Sequence, residues 1–139
     1  MRIDAALPVP DLPTEAETET FWRAAASGKL MITRCTLCAE LVWIPRSFCP
    51  LHMTAGTEWV EVSGLGTVYS YTVVHRGEGP YAGIQPFVLA YVELAEGPRI
   101  MTNLVGVTSG ELAIGTTVQV VFDVVSEHKA IPRFRPGGA

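Results

Sequence analysis

Four side chains within residues 34–52, RCTLCAELVWIPRSFCPLH, have the types and spacing of a metal site. Two residues separate Cys35 from Cys38, ten residues follow, and two more separate Cys49 from His52. A Cys-x-x-Cys turn lets both sulfurs reach one ion, and a second pair nearby completes the tetrahedron that zinc prefers. All three cysteines of the 139-residue chain lie in this segment. The donor set would be Cys3His. With every position taken by protein, no coordination site stays open for a catalytic water, so the zinc is expected to be structural and to contribute folding free energy to a module too small for its own core. Two other readings compete. One is a redox pair, although the strand and helix arrangement of a thioredoxin-like motif is missing around it. The other is a set of small buried side chains without metal, and it rests on the histidine at the fourth position.

Elsewhere the chemistry is thinner. His75 follows a long strand pattern, beside Arg76 and the loop GEGPYAGIQP, where it could act as a base or simply stand exposed at a strand end. His128, next to Lys129, is less specific still. The sequence contains no nucleophile elbow, phosphate-cradling glycine loop or HExxH helix, and Gly64-Leu65-Gly66 reads as a turn or bulge. No catalytic residue and no substrate-binding residue is assigned on these grounds. Residues 77–86 form a loop rich in glycine and proline, either a binding loop or a mobile hairpin connection. Trp59, Tyr69, Tyr71, Phe87, Tyr91 and Phe122 could build a stacking platform for single-stranded nucleic acid, or fill and cover a small barrel. Arg133 and Arg135 would make only a weak phosphate site.

The elements that must position these groups follow from pattern. Thr14 can cap a helix with Glu17 three residues on, as in a capping box, and the helix is expected to run to about Ser27 with Gly28 as its stop. Phe21, Trp22 and the alanines at 24–26 form a short apolar stripe, suited to pack on the metal module or on another chain. Short apolar strands at 30–33 and 41–44 place Cys35 and Cys38 on a hairpin turn. From Glu58 onward the texture becomes β-branched and aromatic runs between glycine turns: WVEVS, TVYSYTVVH, PFVLAYVEL, RIMTNLVGV, TTVQVVFDVV and a short AIPRF. WVEVS and TVYSYTVVH read as one interrupted strand or a tight hairpin. Five or so strands with no helix between them imply an antiparallel sheet or barrel, and closure removes exposed edges.

Bulk properties narrow the class. Apolar residues make up 48% and charged residues 17% of the chain, which suits a compact, strand-dominated protein with one main core and one appendage. A formal net charge of -4 argues against a protein whose main task is neutralising phosphates. No apolar run approaches the length of a membrane span. Three cysteines cannot all pair within one chain and no secretory leader pattern opens the sequence, so a reducing, cytoplasmic setting is expected.

The order FWRAAASGKL, RCTLCAELVWIPRSFCPLH, WVEVSGLGTVYSYTVVHR, PFVLAYVELAEGPRIMTNLVG, IGTTVQVVF and IPRFRP resembles the DUF35 family over about residues 20–136. The phrases GTVYSYTVVHR and GPRIMTNLVG make the resemblance more specific than the metal spacing. It implies a mainly β fold, in which an N-terminal helix and rubredoxin-like zinc ribbon precede a five-stranded antiparallel OB-fold barrel. The expected division is a flexible arm at 1–13, helix and ribbon at 14–56, barrel at 57–136 and a tail at 137–139. It further implies a non-catalytic accessory subunit of a thiolase-superfamily complex, an acyltransferase, thiolase or retro-aldolase. Ribbon and helix would dock on the thiolase-fold partner, with acyl-CoA at the shared interface. The family pattern has Cys where this chain has His52. A nucleic-acid-binding OB module and a hydrolase using His75 stand as alternatives.

Overall fold

The computed structural model describes residues 2–3, 7–54, 56–84 and 86–137. The helix α1 spans Glu19–Ala26, shorter at its start than the capping pattern predicts. The reason is tertiary. Glu17 does not close a capping box, because its carboxylate accepts bonds from the Ser47 backbone N–H and hydroxyl, both at 2.9 Å. These bonds, together with nearby Arg46, hold the Glu17 carboxyl below its ordinary pKa. The other end stops where expected. Gly28, at φ +80°, donates to the Ala25 carbonyl and Lys29 to that of Ala24, a Schellman closure that favours glycine.

Two sheets flank this helix. In the first, β2 (Leu30–Cys35) lies between β3 (Leu41–Val42) and β4 (Thr57–Val62), both antiparallel to it. Residues 57–62, expected as part of the barrel, therefore hydrogen-bond into the ribbon sheet instead. The second sheet is a closed barrel of β5 (Leu65–Val74), β6 (Phe87–Leu94), β7 (Arg99–Leu104), β9 (Thr117–Ser126) and β10 (Lys129–Pro136). The intervening β8 (Val107–Thr108) pairs with a two-residue β1 (Arg2–Ile3).

Barrel order is β10-β7-β6-β5-β9, closed by β9 against β10. The expectation of a wholly antiparallel barrel is corrected at one seam, since β10 runs parallel to β7 with Phe134 opposite Leu104. Three consecutive strands form a meander, and the last two form a hairpin that must turn one edge back along the third. That geometry leaves one pair parallel. The final strand is also longer than AIPRF suggested, spanning eight residues and paired along its length with β9.

Alternation places the core. Val88, Ala90, Val92 and Leu94 of β6 and Ile100, Thr102 and Leu104 of β7 point inward and are buried, while Leu89, Tyr91, Arg99 and Met101 point out. Val68, Val118 and Phe134 complete the interior. β5 pairs with β6 from Gly66 to Val74 and with β9 at residues 65–67, and a register shift between Val68 and Ser70 bends it just beyond the stretch that both neighbours share. Within that stretch, Gly66 lies so close to β6 that a Cβ there would stand 2.5 Å from the Glu93 carbonyl oxygen.

Phe21 and Ala25 bury the inner face of α1, which touches β2 of the ribbon and β9 and β10 of the barrel. The apolar stripe thus packs within the chain and bridges both sheets. Residues 7–13, expected as part of a flexible arm, are held: Arg133 donates to the Pro8 carbonyl at 2.8 Å and Lys129 to that of Leu12. Among the described residues no helix is long and apolar enough to cross a membrane.

Candidate metal centre

Cys35 ends β2, and the chain turns at once. Its sulfur accepts the backbone N–H groups of Leu37 at 3.3 Å and Cys38 at 3.4 Å. Ala39, at φ 62°, then returns its N–H to the Cys35 carbonyl at 3.0 Å. The second turn repeats this construction: Met53, at φ 61°, donates to the Cys49 carbonyl at 2.7 Å. Each ligand pair is therefore carried by the same kind of knuckle, and the two knuckles face each other.

The four donor atoms of Cys35, Cys38, Cys49 and His52 lie within 4.8 Å of one another. Cys35 Sγ is 3.8 Å from His52 Nδ1, and Cys38 Sγ is 4.0 Å from Cys49 Sγ. A tetrahedral zinc with metal–sulfur bonds of about 2.3 Å has edges of about 3.8 Å, so the pocket matches the size of that ion. Cys35 and Cys49 are buried, and no other cysteine competes for them.

Hydrogen bonds within the cluster favour the thiolate at two of the three cysteines. The Cys38 and Leu37 amides hold the Cys35 thiol down, to about 6 from an ordinary 9.0. The Cys49 thiol is also lowered: burial, the largest single influence, raises it, but the N–H groups of His52 and Leu51 and the His52 ring together outweigh burial. His52 is raised by hydrogen bonding to Cys49 and then Cys35, which favours the imidazolium, so a metal would have to displace that proton. Among the thiols Cys38 is the exception. The Glu40 amide lowers it, yet burial and the neighbouring sulfurs leave it raised, so a cation is what would bring the third thiolate in.

The remaining candidates do not converge on a reaction. His75 is exposed just beyond β5, and His128 is exposed in the turn between β9 and β10. Of the aromatics, Phe87 is buried and Trp59, Tyr71 and Phe122 pack against the core, while Tyr69 and Tyr91 remain outside. Tyr69 lies under the Arg99 guanidinium, 3.8 Å from ring centroid to carbon, and Arg99 is itself paired with Glu93 at 2.9 Å. Arg133 is not a phosphate site. It is 1% exposed and lies 2.6 Å from an Asp123 carboxylate oxygen.

One feature is not anticipated by the sequence pattern: the knuckle tips are apolar and exposed. Leu37 is 70% and Leu51 75% exposed, and Met53 beside them is 65% exposed. The signal lies in Cys-Thr-Leu-Cys and Cys-Pro-Leu-His, where a leucine in a two-residue turn has no interior to enter.

A closed Cys3His cluster on paired knuckles, joined to a five-stranded Greek-key barrel, defines a zinc-ribbon and OB-fold class of protein. Comparison with known proteins agrees on both halves. The family described as "ChsH2, rubredoxin-like zinc ribbon domain" matches residues 22–51, and "ChsH2, C-terminal OB-fold domain" matches residues 59–123. A DUF35 domain-containing scaffold protein of Methanothermobacter thermautotrophicus is 32% identical over 113 residues, covering 80% of this chain and 85% of that protein. The chain belongs to the DUF35 family. The solved "Ltp2-ChsH2(DUF35) aldolase" matches with a TM-score of 0.79 at 34% identity, covering 91% of this chain and 98% of that one. A "Probable enoyl-CoA hydratase alpha subunit" of Thermomonospora curvata is 38% identical over 125 residues, and the chain spans only 39% of its length.

Proposed function

We propose that this protein is a non-catalytic accessory subunit of a thiolase-superfamily complex handling acyl-CoA or polyketide-like acyl substrates. In this reading Cys35, Cys38, Cys49 and His52 hold a structural zinc, and residues 14–56 form a docking module on the barrel. The observation that carries it is the pairing of a saturated metal cluster with apolar knuckle tips. A metal with four protein ligands has no position left for a substrate oxygen, whereas Leu37, Leu51 and Met53 present greasy surface to a partner. The scaffold name of the DUF35 relatives and the joint Ltp2-ChsH2 structure support assembly with another chain, and the hydratase subunit name supports an acyl-CoA setting. A cytoplasmic location belongs to the same proposal, since three thiols gathered at one site call for a reducing compartment.

The experiment is co-expression with a thiolase-fold protein encoded beside it, followed by affinity capture and size exclusion. A stable complex is expected. Leu51→Asp should abolish it while leaving the melting temperature within about 2 °C, because surface changes away from packing cost little stability. Absence of any complex with the wild-type chain would sink the proposal.

Single-strand binding has one observation in its favour, the outward Tyr69 and Tyr91 beside Arg99. The net charge of -4 and the Glu93 partner of Arg99 oppose it. Steeply salt-dependent binding of an oligonucleotide would favour it over the accessory role.

A further inference from the structure

A cleft of about 370 Å³ opens where α1, the ribbon and β10 meet, walled in part by Trp22, Trp43, Ile131 and Pro132. Leu12 and Pro13 enter it from the N-terminal segment. Residues 7–13, LPVPDLP, adopt neither helix nor strand, and prolines at 8, 10 and 13 remove the N–H donors that a sheet ladder would use. The polar groups this segment offers are mainly carbonyls. Two of them are met by cations four residues apart on one face of β10: Arg133 donates to Pro8, and Lys129 donates to Leu12. The segment therefore runs antiparallel to β10 without being part of its sheet.

Arg133 shows that β10 is built for such an acceptor. Its side chain is 1% exposed, and its Nε stands close to Asp123 without hydrogen-bond alignment. Its aligned acceptors are Asn103 Oδ1 at 3.3 Å and the Pro8 carbonyl at 2.8 Å. A buried guanidinium short of an acceptor is costly, so the site is complete only with a carbonyl at that place. Side-chain donors aimed at main-chain carbonyls, beside an indole-lined wall, are the means by which proteins hold extended proline-rich peptides. Past Leu12 and Pro13 the cleft continues to Ile44 and Met101, which are 57% and 55% exposed.

We propose that β10 and the adjoining cleft form a recognition site for an extended, proline-containing peptide, engaged in cis by residues 7–13 through Arg133, Lys129 and the cleft wall at Leu12 and Pro13, and able to take the same sequence in trans. The test uses the full chain carrying Leu12→Asp, which removes the apolar side chain the segment contributes to the cleft and leaves the walls from α1, the ribbon and β10 unchanged. Exchange of the Arg133 guanidinium N–H protons, which burial and the Pro8 carbonyl protect, should rise at least tenfold with the barrel strands unchanged. Added synthetic peptide LPVPDLP should then bind saturably, shifting Trp22 and Trp43 fluorescence, with half-saturation below about 1 mM, the scale of effective concentration a short tether supplies. A peptide with its three prolines replaced by alanine should bind at least fivefold more weakly. Unchanged exchange of the Arg133 guanidinium protons, or no saturable binding by LPVPDLP to the folded variant, overturns the proposal. Should Leu12→Asp fail to fold, Lys129→Ala in the otherwise native chain decides: exchange of the Arg133 guanidinium protons rises at least fivefold, or the proposal falls.

Discussion

At the scale of single residues the cluster behaves as a set of unequal ligands. Cys35 is pre-ionised by two backbone N–H groups, whereas at Cys38 burial and then two neighbouring sulfurs outweigh the lowering by the Glu40 amide. In chelator-treated protein, thiolate absorbance should therefore show a first step near pH 6, lost in Cys35→Ser. A depressed thiol pKa contributes stability that is full above the ordinary 9.0 and lost as pH falls through about 6, so the metal-free ribbon should weaken across that window. Metal analysis gives a second expectation: about one zinc per chain in native protein, retained by His52→Cys and lost in Cys49→Ser. The four donor side chains that the fold gathers are legible in the linear sequence because coordination chemistry resides in residue type and spacing. Arg133 is not. Nothing local distinguishes an arginine in a solvated tail from one enclosed by Asp123, Asn103 and the Pro8 carbonyl.

Among elements, the barrel depends on its bent first strand. Gly66 allows β5 and β6 to approach, and the obstacle to a larger residue is main chain, the Glu93 carbonyl, which cannot rotate away. Gly66→Ala should cost about 1–3 kcal/mol, measured as a shift in the denaturation midpoint with an unchanged slope. By contrast Gly97→Ala meets no heavy atom within 4 Å, and its cost comes from φ +118° alone. Strand runs are readable from alternation, and Gly28 as the helix stop from its type. Strand partners are not. WVEVS reads equally well beside TVYSYTVVH or beside LMITRC, and only the pairing of Leu30 with Val62 and Cys35 with Thr57 decides between them. The helix start misleads for a related reason: a capping box competes with any distant donor, and Ser47 wins Glu17.

Across the whole molecule the question is what keeps ribbon and barrel in register. The Glu96 carboxylate, on the β6–β7 turn, accepts the Ser63 backbone N–H at 2.8 Å and hydroxyl at 3.2 Å. Ser63 joins β4 to β5, so this bond ties the link between the two sheets. Glu96→Ala should speed exchange of the Ser63 amide roughly fivefold, the effect of losing about 1 kcal/mol of net hydrogen bonding, while core amides of β6 keep their protection. If the tie serves docking, the same variant should bind the thiolase-fold partner more weakly with little change in melting temperature.

Residue types and their intervals determined by themselves the metal cluster, the number and rough position of strands, and the family. Each of these is encoded locally, in ligand chemistry, period-two alternation and turn residues. Tertiary structure decided the rest: that β4 serves the ribbon, that β10 closes the barrel in parallel beside β7, that Arg133 is buried beneath residues 7–13, and that the leucines of both knuckles are left facing outward. These depend on which distant groups come into contact, and a linear pattern specifies what a segment can pair with without specifying which of several equivalent partners the closed fold will bring to it.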